Sequence, residues 1–491
     1  MKGLADRWTL LAVTALLVAL GACGGGSSSD NDSNPPPPAV TIGVLSTGVI
    51  TGFGSVYLNG ERYDTSSVAV TMDDQPADPS QLRVGQYVEL KGHSHQYWNY
   101  EETSADIIRY HNVLEGPISS IDPGTNSFVA MGQTVLVNLE TVFGADIEPA
   151  SVEGLALGDV VEVSGVVPAA GAIDATRVDL KPDGGPYDVS GYIMDVSVAT
   201  HRFDLNGLMV DYSAANMEDF ATGDPAAGDL VKVTGSTFLA DGAFVALHVE
   251  LRSDDYLTAG PGDAVEVEGV VSDFLSVTDF KVAGWKVTTT TATEYEHGTA
   301  ADLANDVHVR VKGIADAAGV LVAHKIAFQQ VSEIRVVAQL DAIAPYGELV
   351  LLGLEIAVTD RTVYQDMSVL RLEDFGPDDL AVGNWLDVRG YEEPAGSGRV
   401  TATHVVRIDP ADQVRLRGPF RDAAPPSFDI LTVQVTTSDA TRFVLEGLEE
   451  NTRITAAEFF SQAPGELVEA WGSWSAPVLS AQRVEIKLSE D

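Results

Sequence analysis

The residues best equipped for chemistry lie in one short stretch, HSHQYWNYEE, residues 93–102. His93 and His95, with a carboxylate such as Glu101, form a donor set for a transition metal, because imidazole nitrogen and carboxylate oxygen both suit such ions. Their spacing matches none of the usual zinc arrangements. Tyr97, Trp98 and Tyr100 offer aromatic faces that stack on a sugar ring or on a partner surface. The competing reading is structural: the loop packs on the first barrel or the second, and an inward Tyr97 extends a core. A second set is spread along the chain as a basic residue followed two positions later by an acid: Arg177/Asp179, His248/Glu250 and Arg483/Glu485, with Lys325 and His404 at the basic position elsewhere. Residues at i and i+2 of a strand share a face, so these read as solvated faces carrying weak ion pairs, with His248 and His404 at the surface. G-x-S-x-G, the phosphate-binding P-loop, H-E-x-x-H and the calcium-binding EF-hand loop are all absent from the sequence, so no catalytic residue, cofactor or metal is assigned.

Both sets are positioned by a repeated element. VGQYVELKG (Val84–Gly92) recurs as ALGDVVEVSG, AAGDLVKVTG, ANDVHVRVKG, AVGNWLDVRG and APGELVEAWG. A turn residue, alternating apolar and polar positions, and a closing Gly seven residues later form the pattern of a half-buried strand. Three other features keep step with it. Each unit opens with an apolar-x-Gly-x-apolar strand (Gly48, Gly116, Gly191, Gly269, Ala338, Gly418). A strand ending at Gly60, Gly132, Gly207, Gly284, Gly353 or Thr432 follows. A last strand begins Ala-x-x-apolar, as in Ala105/Ile108 and Ala402/Val405. The segment before the recurring stretch looks helical in places, most clearly the capping box Thr455-Ala-Ala-Glu458.

Five strands with a short helix between the third and fourth predict an all-β chain of about six tandem OB-like small barrels. The repeats are placed at 43–111, 112–182, 187–252, 264–330, 334–409 and 412–489. Short spacers predict a rod of abutting barrels, with Ser253–Asp263 the best hinge. The acidic pairs Asp73-Asp74, Asp254-Asp255 and Asp378-Asp379 read as solvated turns, and Trp285, Trp385 and Trp471 as core residues. A formal charge of −43, from 72 acidic against 29 basic residues, excludes nucleic acid as a partner.

Residues 1–22 have the form of a secretory signal: Lys2 and Arg7, an apolar run from Thr9 to Leu20, then Leu20-Gly21-Ala22-Cys23. That ending resembles the bacterial lipobox, which implies cleavage before Cys23 and acylation of it; several acyl chains anchor stably where one does not. Gly24 after the cysteine implies, by the same resemblance, the outer membrane of a Gram-negative cell. Residues 23–42 read as the lipidated cysteine and a Gly/Ser/Pro tether. Cys23 is the only cysteine, so no disulfide supports the fold.

The succession G-x-I, F-x-V-x-G, L-x-V-G-x-x-V-x-V-x-G and A-x-x-V resembles the bacterial family catalogued as domain of unknown function 5666. The resemblance runs over nearly all of the chain beyond the tether and is clearest in repeats one, two and three and in the recurring stretch of repeat five. It implies fold and lipoprotein context, and no activity. The sequence therefore predicts a membrane-anchored, non-catalytic binding or scaffold rod with an envelope protein or glycan as partner. The alternative is a carbohydrate- or metal-binding module built on His93, His95, Tyr97, Trp98, Tyr100 and Glu101.

Overall fold

The period-two patterns become strands, and the turns between them set how each unit curls. The computed structural model describes residues 40–96, 101–167, 172–182, 184–220, 224–252, 258–345, 347–372, 375–446 and 452–487. Repeat two shows the unit plainly. Leu114–Asp122 runs antiparallel to Ser127–Ala130, which pairs with Gln133–Leu136. This third strand lies parallel to the fifth, Ile173–Lys181; the fifth pairs with the fourth, Val160–Val166, and the fourth returns to the first. The cycle closes a five-stranded barrel of OB type. The same ladders close in repeats three, four and six. In repeat one the third strand reaches the fifth only through the bridge Asp64–Ser104. In repeat five the first strand breaks into Ile334–Gln339 and Ala342–Ile343, and the second piece pairs with Leu349–Leu351.

The recurring stretch is the fourth strand, and its two glycines do different work. The opening residue has positive φ in every repeat (Gly85, Gly158, Gly228, Gly383 and Gly465 near +90°, Asp306 at 66°). Only Gly adopts that conformation without strain, which makes Asp306 the one tolerated exception. The closing residue, as in Gly92 or Gly390, sits at a β-bulge where register shifts against the fifth strand. A Cβ there would collide with the facing carbonyl oxygen, that of Ser104 or Thr401. Bulges at this point bend the long fourth strand around the barrel.

The slot between the third and fourth strands differs from the sequence expectation. Among the described residues only repeat six forms an α-helix there, Ala456–Gln462, with Thr455 and Glu458 capping reciprocally. Repeats one, two, four and five have a three-residue 3-10 turn instead: Pro79–Gln81, Val152–Gly154, Ala300–Asp302 and Pro377–Asp379. Much of the slot is taken by a short extra strand parallel to the fifth, such as Val142–Phe143 or Val363–Asp366. Too few residues remain to repay helix nucleation. A threonine anchors this segment: the Oγ1 of Thr141, Thr293, Thr362 and Thr441 donates to the carbonyls of Ala175, Ala323, Ala402 and Ala481 at 2.7–2.9 Å.

Barrels join in pairs through their first strands. Repeats two and three pair antiparallel at Leu114/Val189, and repeats five and six at Val336/Leu416. Repeats one and four, far apart in the chain, pair in parallel over Val44–Ser46 and Ala264–Glu266. Further contacts tie the pairs together. Arg177 Nη1 donates to the Val84 carbonyl at 2.8 Å, joining repeats two and one, and Arg389 Nη1 to the Leu139 carbonyl at 2.9 Å, joining five and two. Val84, Val142 and Val363 form a small apolar cluster shared by repeats one, two and five. The residues from Ala39 onward thus pack as one compact unit. This corrects the expected rod, in which each barrel would touch only its chain neighbours: first-strand edges and outward polar faces find complements several repeats away.

The solvated faces expected of the last strand are corrected too. Arg177 is 8 % exposed, His404 5 % and Glu485 2 %, because these faces lie between barrels. His248 alone matches the surface reading, with Nδ1 3.4 Å from Glu218. Asp73, expected in a solvated turn, pairs with the buried Lys232 Nζ of repeat three at 2.7 Å. Trp285 does sit in the core of repeat four. Trp471 instead lies under the guanidinium groups of Arg415 and Arg483. The lipobox Leu20–Cys23, the tether to residue 39, Tyr97, Trp98, Tyr100, residues 253–257 of the expected hinge and the Asp254-Asp255 pair lie outside the described residues. Among the described residues no helix is long and apolar enough to cross a membrane.

Candidate ligand-binding site at a four-repeat junction

Outward residues of the fourth strand decide what happens where barrels meet. Counting two past the opening residue gives Tyr87, Val160, Leu230, His308, Trp385 and Leu467, so repeat four alone places a histidine there. His308 lines a half-open cavity of about 340 Å³ bordered by repeats one, two, four and five. That volume falls within the range of small-molecule sites. Repeat one contributes Val49, Thr51 and Asn59; repeat two, Glu140 and Asp174; repeat four, Glu268, His297, Arg310, Phe328 and Gln330; repeat five, Arg361, Val363, Tyr391 and His404. Glu140 and Arg361 hold the same place in their repeats, the third residue of the turn that ends in Thr141 or Thr362.

One chain of hydrogen bonds runs along the wall. His308 Nδ1 bonds the Oε1 of Gln329, whose amide donates to Glu140 Oε2 at 2.8 Å. Ser332 Oγ donates to Glu140 Oε1 at 3.2 Å and lies 2.7 Å from Thr403 Oγ1, which is 3.2 Å from His404 Nδ1. An amide oxygen only accepts, so the proton of neutral His308 resides on Nδ1, and Nε2 is left with a free lone pair. That Nε2 is buried and has no hydrogen-bond partner among the described residues. Burial raises the Glu140 carboxyl above its ordinary range, and the bonds from Gln329 and Ser332 offset this in part. Burial, reinforced by Arg389, lowers His404 to about 3 and keeps it neutral. Tyr391 presents its ring beside His297, with an edge-on contact at 6.2 Å.

A second cavity, of about 760 Å³, lies among repeats one to four. Arg252 on its wall is paired, with Nη1 3.0 Å from Glu250 and 3.6 Å from Asp74, and the Tyr87 hydroxyl donates to the Glu268 backbone carbonyl. It reads as a docking seam.

The loop singled out in the sequence is placed elsewhere. Tyr87–Gln96 and Glu101–Tyr110 form a long hairpin, with His93 opposite Ser104 and His95 opposite Glu102. His93 Nδ1 sits 2.5 Å from Asp106 Oδ2, and His95 Nδ1 3.0 Å from Thr41 Oγ1. Among the described residues no three His, Cys, Asp or Glu groups are gathered so as to hold a metal ion. The cavity residues escaped sequence reasoning because Glu140, His308, Gln329 and Tyr391 come from different repeats. The legible signal was the lone histidine at an in-frame strand position, a smaller departure than the insertion in repeat one.

Fold and junction together define a tandem array of OB-type barrels packed around shared interfaces. Residues 115–179, 268–327 and 336–406 match the sequence profile of a domain of unknown function, DUF5666; these are repeats two, four and five. Repeats two and five agree with the expectation, repeats one and three, also expected to be clear, are not among the matched residues, and repeat four is included despite Asp306 at the opening position. No curated protein matches the chain.

Proposed function

We propose that this chain is a non-catalytic binding lipoprotein of the cell envelope, held at the outer membrane through acylated Cys23, with the four-repeat junction as its ligand site. The observation that carries the binding reading is the junction cavity: it is lined by polar side chains from four repeats, among them His308, whose buried Nε2 has no hydrogen-bond partner among the described residues. The anchor rests on Leu20-Gly21-Ala22-Cys23 and the Gly/Ser/Pro tether that follows. The net charge of −43 disfavours nucleic acid as the ligand. Labelled palmitate should enter the wild-type chain and not Cys23→Ser, and the variant should move from the membrane to the soluble fraction. Equal fractionation of both would remove the anchor from this reading.

The hairpin of repeat one supports a second reading as a glycan- or partner-binding arm. His93 and His95 share one half-exposed face of it. Replacing Tyr97, Trp98 and Tyr100 together by Ala should abolish that binding with the melting temperature nearly unchanged, whereas a large loss of stability would mark the loop as core.

A further inference from the structure

The wall of the junction cavity constrains what fits. Its fixed acceptors are the His308 Nε2 lone pair and the carboxylates of Glu140, Asp174 and Glu268, so an occupant must bring hydrogen-bond donors. An anion would face three carboxylates. A compact cation would face Arg310 and Arg361 on the same wall. A hydroxyl group serves both kinds of neighbour, donating to His308 or a carboxylate and accepting from a guanidinium or from Gln330. The rest of the lining suits the C–H faces of a ring: Tyr391 stands edge-on to His297, and Phe328, Val49 and Val363 close the apolar side.

We propose that the junction cavity binds a small neutral saccharide, with His308 Nε2 accepting from a ring hydroxyl and Tyr391 stacking on the sugar face. This rests on the reading of the cavity as a ligand site. It places carbohydrate recognition between repeats, away from the repeat-one hairpin. The site is assembled only when repeats one, two, four and five are docked, because each supplies part of the wall.

The test is isothermal titration calorimetry on the full chain in detergent, with maltose, cellobiose and N,N′-diacetylchitobiose as probes and spermidine and citrate as charged comparisons. At least one disaccharide should bind saturably with a dissociation constant below about 1 mM. His308→Leu and Tyr391→Leu should each weaken it by about tenfold or more. If either substitution lowers the melting temperature, Arg361→Ala, in an exposed turn, replaces it and should also weaken binding. Saturable binding of spermidine or citrate in place of the sugars would overturn the ligand class and leave the cavity as a site. Sugar binding unchanged in all three variants would move recognition away from the cavity. No binding of any probe would overturn the inference outright, while the Cys23→Ser fractionation would still decide the anchoring reading by itself.

Discussion

Repeats five and six, and repeats one and four, are both joined through their first strands, yet the two joints are built differently. Between five and six the ladder is antiparallel, and one continuous apolar cluster runs through both barrels, from Ile334 to Ile486. Between one and four the ladder is parallel, only Val44–Ser46 against Ala264–Glu266, and the two barrels keep separate apolar clusters, with Leu45 crossing into that of repeat four and Ile107 packed against it. Repeats two and three follow the first plan, sharing one cluster. The adjacent pairs two–three and five–six are thus held by buried apolar surface, whose contribution scales with area. The distant pair is held by a few hydrogen bonds, each worth about 1 kcal/mol net. The joint between one and four should therefore open first, and the junction cavity borders that joint.

The largest expected effect breaks a charge cluster of repeat five beside the five–six joint, where Arg335 on the first strand lies opposite Arg417. Asp387 accepts Arg335 Nε at 2.9 Å and Nη2 at 2.7 Å, and Arg389 Nη2 at 3.3 Å, all buried or nearly so. Burial alone would raise its carboxyl, but Arg335 and Arg389 override this and hold it well below the usual carboxylate range. Asp387→Ala strands two buried guanidinium groups and should cost about 3–5 kcal/mol in urea unfolding. Because the core is shared, hydrogen exchange should show Trp385–Glu392 and Leu467–Ser475 losing protection together. Loss confined to repeat five would mean the common cluster does not couple the barrels.

The barrel interior was readable in the sequence because a strand's inward side chains repeat every second residue and need no distant partner: Val88 and Leu90, or Val161 and Val163, are buried as the alternation requires. The outward side chains of the same strands were misread. Glu162, Lys232, Asp387 and Glu469 look like solvent-facing charges, yet all are buried, each against a partner on another strand or in another repeat: Lys181, Asp73, Arg335 and Arg415. Polar alternation reports only that a face avoids the local core; whether water or a complementary charge covers it depends on docking between repeats. The site was hidden for the same reason, since Glu140 and His308 meet only after repeats two and four pack. The rod failed on this point too, because nothing local marks the first strand of repeat one as complementary to that of repeat four.

A smaller effect separates charge pairing from core sharing, at the joint of repeats two and three. Asp188 is largely buried there beside Lys232, Asp73, Asn112 and Glu115, with its Oδ1 lacking a hydrogen bond among the described residues. Burial raises it from 3.8 to about 7, with Lys232 opposing and Asp73 assisting. Between those values the folded chain holds a proton that the unfolded chain has released, so stability should fall as pH rises through that window and level off above about 7. Urea unfolding free energies taken from pH 5 to 8 should show a decline of about 2–3 kcal/mol attributable to this group. Asp188→Asn, neutral throughout, should remove it and be the more stable chain at pH 8. An unchanged slope in the variant would assign the decline to another raised carboxyl such as Glu115, since His111, which burial lowers to about 3, acts in the opposite sense.

The smallest effect is expected at the one–four joint. Thr47 is 1 % exposed, and its Oγ1 accepts the Glu268 amide at 3.1 Å, a bond made between the two barrels. Thr47→Val keeps the shape and leaves that amide without its partner, a loss of about 1 kcal/mol. With separate cores on either side, the loss should appear as faster exchange at the Val44–Ser46 ladder and at Glu268, with little change in the melting temperature. Binding in the adjoining cavity should weaken with it, since Glu268 is part of that wall. If Thr47→Val instead lowered stability as far as Asp387→Ala, the distant pair would have to be as deeply coupled as the neighbouring one. The contrast between a joint made of shared core and a joint made of hydrogen bonds would then fail.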